Sequence, residues 1–404
     1  MRNSKCIIVM LVITTVLLTG CWDSKEIKSL AIVMALGIDK DAENKGYRVS
    51  LQIANVGEAA GSIEGGSGYS TPITVYTTTG RTLLEAIRKT SKKVPRELYF
   101  SHLQLVIIGE SLAKKGISNL FDFFERTPET RLTSMVLIAE RDEAKQILET
   151  LTPIEKLPSN SLSTKMKLTE KLWSENTRVE IDDIVNGLGK QGKQLVISGV
   201  RLDGDSLEGD EKSNVEKSKP SVSVNIGRLA LFKDGKLMRW LPNRQARGII
   251  LIQNKMKGST INLNCQKKKN AIGIEILRSK TNVTASLHHG KPMFHVNIHE
   301  EGIISEVQCA LDLNQTVIIK ELERQWRNKT ETDILAAVKL AQNEKSDVLG
   351  FGEVLNLSHP KVWNKWKHDW NHTFSESKVD VTVNVVIHHS GMRTKTYHTK
   401  ETNE

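Results

Sequence analysis

The sequence predicts a multi-domain protein of the α+β (mixed α/β) class, in which sheets are covered by helices. The chain has 404 residues, enough for two or three domains that each bury a core. Residues 73–151 alternate between strand-like and helix-like patterns. The C-terminal part begins with strands, continues with long helices and returns to one strand. Both orders are typical of mixed folds.

The first 21 residues have the pattern of a lipoprotein signal peptide. A basic start precedes an apolar run over residues 7–18, which is too short to span a bilayer. The run is followed at once by Thr19, Gly20 and Cys21, which complete a bacterial lipobox. We expect residues 1–20 to be removed and Cys21 to carry covalent diacylglycerol and an N-acyl lipid. The alternatives are an ordinary cleaved signal and an uncleaved N-terminal helix.

In the N-terminal region, residues 21–202, apolar runs and turn residues predict a hairpin, a glycine-rich loop over 57–70, and then strands and helices in regular exchange. The predicted strands are 30–38, 47–56, 73–78, 103–108 and 134–139, and the predicted helices are 82–92, 112–125, 143–151, 162–173 and 181–188.

Residues 203–220 are polar and charged with almost no apolar side chains, which predicts an exposed linker or loop and the main domain boundary. The region 221–390 after it is predicted to be α+β, with room for two subdomains, and 391–404 a polar tail. Its predicted strands are 222–232, 237–241, 260–263, 272–277, 283–287, 294–298 and 379–387, with one long or broken helix over 315–343 and another that Pro360 opens with Ser358 as its cap.

The charge and the cysteines limit the partners. The formal charge of +10 falls to +8 once Arg2 and Lys5 leave with the signal, and the short lysine clusters lack interleaved aromatic residues. Nucleic acid is therefore not an expected partner, whereas a mildly basic body suits anionic lipid headgroups. With Cys21 lipidated, Cys265 and Cys309 remain. An oxidising exterior permits a disulfide between them, two buried thiols fit equally well, and we expect both to be dispensable.

The sequence proposes no catalytic or metal site. Asp39, Asp41 and Glu43 alternate like the start of an EF-hand loop, but the sixth position is an asparagine rather than the required glycine. The adjacent pairs His288-His289 and His388-His389 should point to opposite faces of a strand. Nucleophile motifs are absent from the sequence. We therefore expect no enzyme and no cofactor other than the lipid on Cys21.

A tryptophan-rich segment follows Pro360. Trp363, Trp366, Trp370 and Phe374 have the spacing of a single helix face. The face either packs on the C-terminal sheet or meets a partner or membrane. We favour packing, and expect truncation of Trp366 to cost roughly 3 to 5 kcal/mol.

Three groups of residues, in this order along nearly the whole mature chain, resemble the Ger(x)C family of spore germination lipoproteins. The first is Gly20-Cys21-Trp22-Asp23, Glu26-Ile27 and Ala35-Leu36-Gly37-Ile38-Asp39; the second is Ser101-His102-Leu103, Ile108-Gly109-Glu110, Ala113, Gly116, Arg126 and Ala144; the third is Phe232-Lys233-Asp234, Trp240-Leu241, Gly350-Phe351-Gly352-Glu353, Pro360, Trp363 and Trp370.

The resemblance implies the C subunit of a nutrient germinant receptor, with three mixed α/β domains and no catalytic residues to carry over. It implies lipidation at Cys21, a place on the outer face of the spore inner membrane, and membrane-embedded A and B subunits as partners. The long charged stretch 203–220 departs from the family pattern. From the residues alone, the alternative is a solute-binding lipoprotein of a transporter.

Overall fold

A computed structural model of the chain describes residues 29–41, 43, 46–55, 71–127 and 129–388. The predicted signal peptide, Cys21, the loop 57–70, His389 and the tail 391–404 lie outside these residues. Within them, the predicted mixed α+β class is confirmed, because two sheets are each covered by helices. No helix in the described ranges is long and apolar enough to cross a membrane.

The larger sheet has nine of the described strands, in the order β3-β2-β1-β5-β6-β7-β8-β9, with β4 paired to the start of β1. Its centre is parallel and both of its sides are antiparallel. The strands are β1 (Leu30–Lys40), β2 (Tyr47–Ala54), β3 (Ile73–Gly80), β4 (Glu97–Tyr99), β5 (Leu105–Gly109), β6 (Met135–Ala139), β7 (Val196–Asp203), β8 (Ser223–Lys233) and β9 (Lys236–Trp240).

The smaller sheet consists of four described strands in the order β10-β11-β12-β13, of which the last pair is parallel. They are β10 (Ser259–Cys265), β11 (Lys268–His288), β12 (Lys291–Val307) and β13 (Lys378–Ile387).

Helices cover both sheets. The described α-helices are α1 (Leu83–Lys89), α2 (Glu110–Lys115), α3 (Ser118–Arg126), α4 (Ala144–Glu149), α5 (Pro158–Leu172), α6 (Ile181–Gly189), α7 (Ser213–Glu216), α8 (Asn243–Ile252), α9 (Thr316–Asn343), α10 (Phe351–Ser358), α11 (Pro360–Trp366) and α12 (Trp370–Glu376). Short 3₁₀ turns occupy Thr90–Lys92, Ser206–Glu208 and Lys367–Asp369.

The central strands are buried on both faces, which explains their continuous apolar sequence. In β5, Val106 and Ile108 belong to one hydrophobic cluster, whereas Leu105 and Ile107 belong to the cluster on the opposite face. A third cluster joins the two sheets, since it contains Leu229 of β8 as well as side chains of α8, α9 and the smaller sheet. The chain therefore has a continuous apolar connection between its two halves.

Several predicted elements have different bounds in the structure. The helix expected over 112–125 is two helices, α2 and α3, because Gly116 between them has a φ of +131°, which a helix cannot contain. The strands expected over 272–277 and 283–287 are one strand of 21 residues, β11. The helix α9 is continuous over 28 residues. Strand β7 and helix α8 were not predicted.

Two predicted local features are wrong. Ser358 ends α10 and bonds back to the Val354 carbonyl, so it does not cap α11; His359 precedes α11 and makes no side-chain cap. His288 and His289 do not point to opposite faces of a strand. His289 lies in the β11–β12 turn with a φ of +50°, and the two rings are in edge contact with centroids 4.3 Å apart.

The charged stretch 203–220 connects two neighbouring strands of the same sheet, since β7 pairs with β8. It contains helix α7, and Asn214 is buried there, where its amide bonds the Leu151 and Val222 carbonyls. Strands β8 and β9, from the predicted C-terminal region, thus complete the larger sheet. The domain division at this stretch stays a prediction.

Cys265 and Cys309 form a disulfide, with their Cα atoms 6.4 Å apart. It joins the end of β10 to the segment that follows β12 and closes a separation of 44 residues. The structure thus decides between the two alternatives for this pair. We therefore no longer expect both cysteines to be dispensable, and instead expect removal of the disulfide to lower the stability of the fold.

We predict that the double variant Cys265→Ser, Cys309→Ser lowers the free energy of unfolding by roughly 4 kcal/mol, because an unfolded chain that lacks the crosslink regains the entropy of a loop of this length. Denaturant unfolding of both proteins measures the difference. Reductant should lower the wild type to the level of the variant and leave the variant unchanged. Equal stability of the oxidised wild type and the variant would contradict the prediction.

Candidate functional site

The tryptophan-rich segment is not one continuous helix. Helix α11 ends at Trp366, a 3₁₀ turn follows, and α12 begins at Trp370. Trp363 and Trp370 are each 5% exposed and contact each other edge-on, with ring centroids 5.2 Å apart. Trp370 also lies against Phe294 and Phe374. These two tryptophans therefore pack inside the protein, in agreement with the favoured interpretation.

Trp366 differs from the other two tryptophans. It is only partly buried and packs at the edge of the third hydrophobic cluster. Lys365 Nζ lies 5.2 Å from the centroid of its ring. Its indole Nε1 is buried and has no hydrogen-bond partner among the described residues. The expectation that Trp366 is the central core residue of the face therefore needs correction, because Trp366 is the last residue of α11 and no continuous helix carries the face on to Trp370.

Trp370 contacts a buried carboxylate, Asp347, which the sequence analysis did not single out. Its Oδ1 accepts the backbone N–H groups of Gly350 at 2.9 Å and Phe351 at 3.1 Å. Its Oδ2 accepts the N–H of Gly352 at 2.7 Å and the indole N–H of Trp370 at 2.9 Å. Asp347 thereby satisfies the first backbone donors of α10, where the helix dipole also favours negative charge.

Burial raises the pKa of Asp347 to about 6, against the lowering effect of its four hydrogen bonds. Each carboxylate oxygen already accepts two donors, and the side chain is inaccessible to solvent. An external substrate therefore cannot reach this acid. Its role is to hold the start of α10 and Trp370 in one arrangement.

Two glycines allow a loop of the N-terminal half to reach this arrangement. Gly192 has a φ of +93° and lies against Trp363; a Cβ atom on it would be 2.6 Å from the indole ring. A Cβ atom on Gly352 would be 2.6 Å from the Cα of Gly192. Gln194 N–H donates to the Asp347 carbonyl at 2.8 Å. The two chain segments thus meet backbone to backbone, where side chains would separate them.

Residues just before Asp347 attach to the larger sheet. Ser346 Oγ donates to the Phe232 carbonyl at 2.7 Å, and Arg239 Nη1 lies 2.9 Å from Glu344 Oε1. We call residues 344–352, with the groups that contact them, the Asp347 junction. Because it bonds the smaller sheet's helices to strands β8 and β9 and to the loop after α6, it fixes the orientation of the two halves.

A second buried carboxylate has the same role in the N-terminal half. Asp39 Oδ1 accepts the Ala144 N–H at 2.9 Å and its Oδ2 accepts the Lys145 N–H at 3.1 Å, so it holds the start of α4 against the end of β1. Burial raises its pKa. The candidate metal role that the sequence analysis rejected for Asp39 is thus replaced by a helix cap.

The remaining candidate residues are not brought together into a reactive group. His295 bonds Ser286, and His299 and His388 both contact Glu301. Among the residues that the structure describes, no group of three His, Cys, Asp or Glu side chains could hold a metal ion. Cys21, the predicted lipidation site, lies outside the described residues.

Two family models match the chain. One is described as the spore germination protein N-terminal domain and matches residues 23–202, and the other is described as "Spore germination B3/ GerAC like, C-terminal" and matches residues 227–391. The interval between the two models includes the whole charged stretch 203–220. Together they match well over half of the chain.

Curated relatives match over nearly their full length. Spore germination protein KC of Bacillus subtilis (strain 168) is 32% identical over 394 residues, which are 96% of this chain and 97% of the relative. Spore germination protein B3 of the same organism is 25% identical over 382 residues, which are 91% of this chain and 94% of the relative. A solved structure titled "Crystal Structure of the GerBC protein" shares the fold, with a TM-score of 0.54, 20% identity and coverage of 87% of this chain and 96% of that one.

We predict that Trp370→Phe costs roughly 2 kcal/mol more in free energy of unfolding than Trp366→Phe. Both variants remove the same atoms, but Trp370 is the more deeply buried, and only Trp370 donates a hydrogen bond to a buried carboxylate, which then lacks a partner. Denaturant unfolding of the two variants measures the difference, with Trp366→Phe as the matched control. Equal costs would show that the indole hydrogen bond does not stabilise the junction.

We also predict a pH dependence that belongs to Asp347. With a folded-state pKa of about 6 and an ordinary value of 3.8, the folded chain binds the proton more tightly. The stabilisation is then complete below about pH 4 and is lost as the pH rises through about 6. Across this window, wild-type unfolding free energy should fall by up to roughly 3 kcal/mol relative to Asp347→Asn, which does not titrate. A relative rise would mean that the four hydrogen bonds outweigh burial.

Proposed function

The chain belongs to the Ger(x)C family of spore germination proteins, and from this we propose that it is the lipid-anchored C subunit of a nutrient germinant receptor. Its place would be the outer face of the spore inner membrane. Its partners would be the lipid bilayer and the membrane-embedded A and B subunits of the same receptor. The observation that carries the proposal is the match of both family models, in order, over nearly the whole chain behind the lipobox.

The lipobox supports the anchor. The first family match begins at residue 23, two residues after Cys21, so the proposed lipid site directly precedes the part of the chain that the family model covers. Each methylene buried in a bilayer contributes about 0.8 kcal/mol, and two acyl chains provide the stable attachment that one chain lacks. The anchor would thus supply the membrane contact of the whole subunit.

The Asp347 junction supports a structural role in receptor assembly. It joins the helices of the smaller sheet to the larger sheet through the hydrogen bond of Ser346 to Phe232, and to the loop after α6 through that of Gln194 to Asp347, which favours a fixed arrangement of the two halves. A subunit that positions others benefits from such a fixed shape, because a flexible one would lose entropy on binding. We therefore propose assembly or support of the receptor, and not catalysis, as the activity of this chain.

The alternative of a solute-binding lipoprotein of a transporter receives no support from the relatives. Those reported above carry the names of germination proteins. The receptor proposal therefore stands without a second candidate.

We predict that Cys21→Ala abolishes incorporation of radiolabelled palmitate and impairs nutrient-triggered germination, because the acyl chains are the proposed anchor. Labelling of spore-forming cells that express either chain measures the first effect. Cys265→Ser, Cys309→Ser is the matched control, since it removes two cysteines and should leave the label in place. Palmitate on the Cys21→Ala chain would refute the lipidation site.

Receptor membership is tested separately by purification of the tagged wild-type chain from detergent-solubilised spore membranes. We expect the two membrane subunits of one receptor to co-purify in comparable amounts. Their absence, with the labelled chain recovered intact, would refute the receptor role while leaving the anchor established.

A further inference from the structure

The segment around α1 has an unusual concentration of positive charge. Residues 81–97 contain six basic and two acidic side chains, a net charge of +4 out of +10 for the whole chain. Arg88, Lys92 and Arg96 are exposed, and none of them makes an ion pair with a residue that the structure describes. We call these three residues the basic face. By contrast, the exposed Lys190 and the half-buried Lys193 lie near an acidic partner, Glu353.

The basic face borders an apolar depression of about 180 Å³. Arg88 and Arg96 line it, and Leu84, one helical turn before Arg88, is 52% exposed beside them. The lining also includes Ile87, Leu98, Phe100, Phe123 and Phe124, and two acidic side chains, Glu97 and Glu129. An exposed leucine among cations is the composition of a surface that enters the headgroup region of a bilayer.

The chain itself holds one end of this face, at Arg96, close to the proposed anchor. Strand β4 pairs with the first residues of β1, and Leu30 lies opposite Glu97, the residue after Arg96. Seven residues lie between Cys21 and Ser29, so the eight Cα–Cα steps of an extended connection reach at most about 28 Å. Helix α1 follows β3, whose last residue is at the other end of β1, because Gly80 pairs with Tyr47 and Tyr47 pairs with Lys40. The basic face therefore starts at the end of the sheet that the anchor keeps near the membrane and extends along the sheet toward the other end.

We propose that the basic face docks on anionic phospholipid headgroups, with Leu84 entering the interface, and so orients the subunit on the bilayer. The inference that this surface faces the membrane rests on the proposed anchor at Cys21. Each Lys or Arg at an anionic surface strengthens binding about fivefold, so three of them contribute about a hundredfold. The attraction weakens when salt shortens the Debye length.

The test uses the chain from residue 21 onward with Cys21→Ser, which retains every described residue and carries no lipid. Its binding to vesicles of phosphatidylcholine with about one-third phosphatidylglycerol is measured by co-sedimentation, with pure phosphatidylcholine vesicles as the reference. The triple variant Arg88→Gln, Lys92→Gln, Arg96→Gln should bind the anionic vesicles about a hundredfold more weakly. Its thermal unfolding midpoint should equal that of the parent, because the three side chains are exposed.

The matched control is Lys267→Gln, Lys268→Gln, Lys269→Gln, which removes the same charge from the exposed β10–β11 turn. We expect it to bind the anionic vesicles within about threefold of the parent, because binding depends on the location of the charge. If both triple variants lost the same binding affinity for anionic vesicles, binding would depend on net charge alone, and the proposal would be overturned. Absence of binding to the anionic vesicles by the parent would also overturn it. Neither outcome affects palmitate labelling, so failure of the docking surface is distinguishable from failure of the anchor.

A fluorophore tests the depth of the contact. With Cys265 and Cys309 in the disulfide, Leu84→Cys is the single free thiol of this chain and can carry a polarity-sensitive label. Leu357→Cys is the control, since Leu357 is 80% exposed on α10 in the other half of the protein. Anionic vesicles should shift the emission of the label at residue 84 to the blue and leave the label at residue 357 unchanged. A shift at residue 357 alone would place a different surface on the bilayer.

Discussion

The hydrogen bonds that enclose the Asp347 carboxylate are the constraint on which the Asp347 junction depends. A carboxylate that is removed from water must regain the lost solvation from protein donors, and Asp347 obtains four. Three are backbone N–H groups at the start of α10, and the fourth comes from Trp370. Movement of α10 or α12 alone would leave this charge partly unsolvated, so these two elements are coupled through one side chain.

This coupling also gives a physical reason for the Gly350-Phe351-Gly352-Glu353 sequence. Gly350 has a φ of +81°, which glycine adopts without the steric cost of a side chain. Phe351 stacks on Phe294 of the smaller sheet with centroids 4.5 Å apart, and Gly352 leaves room for the loop at Gly192. Glu353 lies 3.6 Å from Lys193 of the same loop. Four consecutive residues thus contact the junction, the smaller sheet and the N-terminal half.

Much of the fold could be predicted because its signals are periodic or continuous. The two-sided burial of β5 and β6 gives unbroken apolar runs, and α9 has a helical repeat over its whole length. Strand β7 and helix α8 were missed because short apolar runs carry no period that separates a strand from a helix. The helix break at Gly116 depends on one backbone angle, which composition does not reveal.

The site was predicted less completely than the fold, for a related reason. The spacing of Trp363, Trp366 and Trp370 assumes a continuous helix, whereas α11 ends at Trp366, a 3₁₀ turn follows, and Trp366 lies at the edge of the core. No periodic pattern of apolar residues marks Asp347 in the sequence. Its hydrogen bond with Trp370 depends on the tertiary contact between α12 and the start of α10. One sequence signal for Asp347 was available. Asp347 lies three positions before Gly350, at the start of an apolar helix, and an acceptor at that position can reach the free N–H groups of the first turn.

The fixed arrangement of the two halves and the proposed attachment at one end together affect how the subunit is oriented on the bilayer. A lipid on Cys21 would restrict the distance of the chain from the bilayer but would leave tilt and rotation free, because the connection to Ser29 is a single chain with seven residues between them. The basic face, which starts at Arg96 near the entry of that connection, would restrict tilt, since its cations gain attraction only when they approach the headgroups together. The Asp347 junction then transmits this orientation to the smaller sheet, because the hydrogen bonds of Ser346 to Phe232 and of Gln194 to Asp347 join its helices to the larger sheet and to the loop after α6. Surfaces of the smaller sheet would thus be held at a fixed height above the membrane, which is the geometry that a subunit needs to contact membrane-embedded partners repeatedly in the same way.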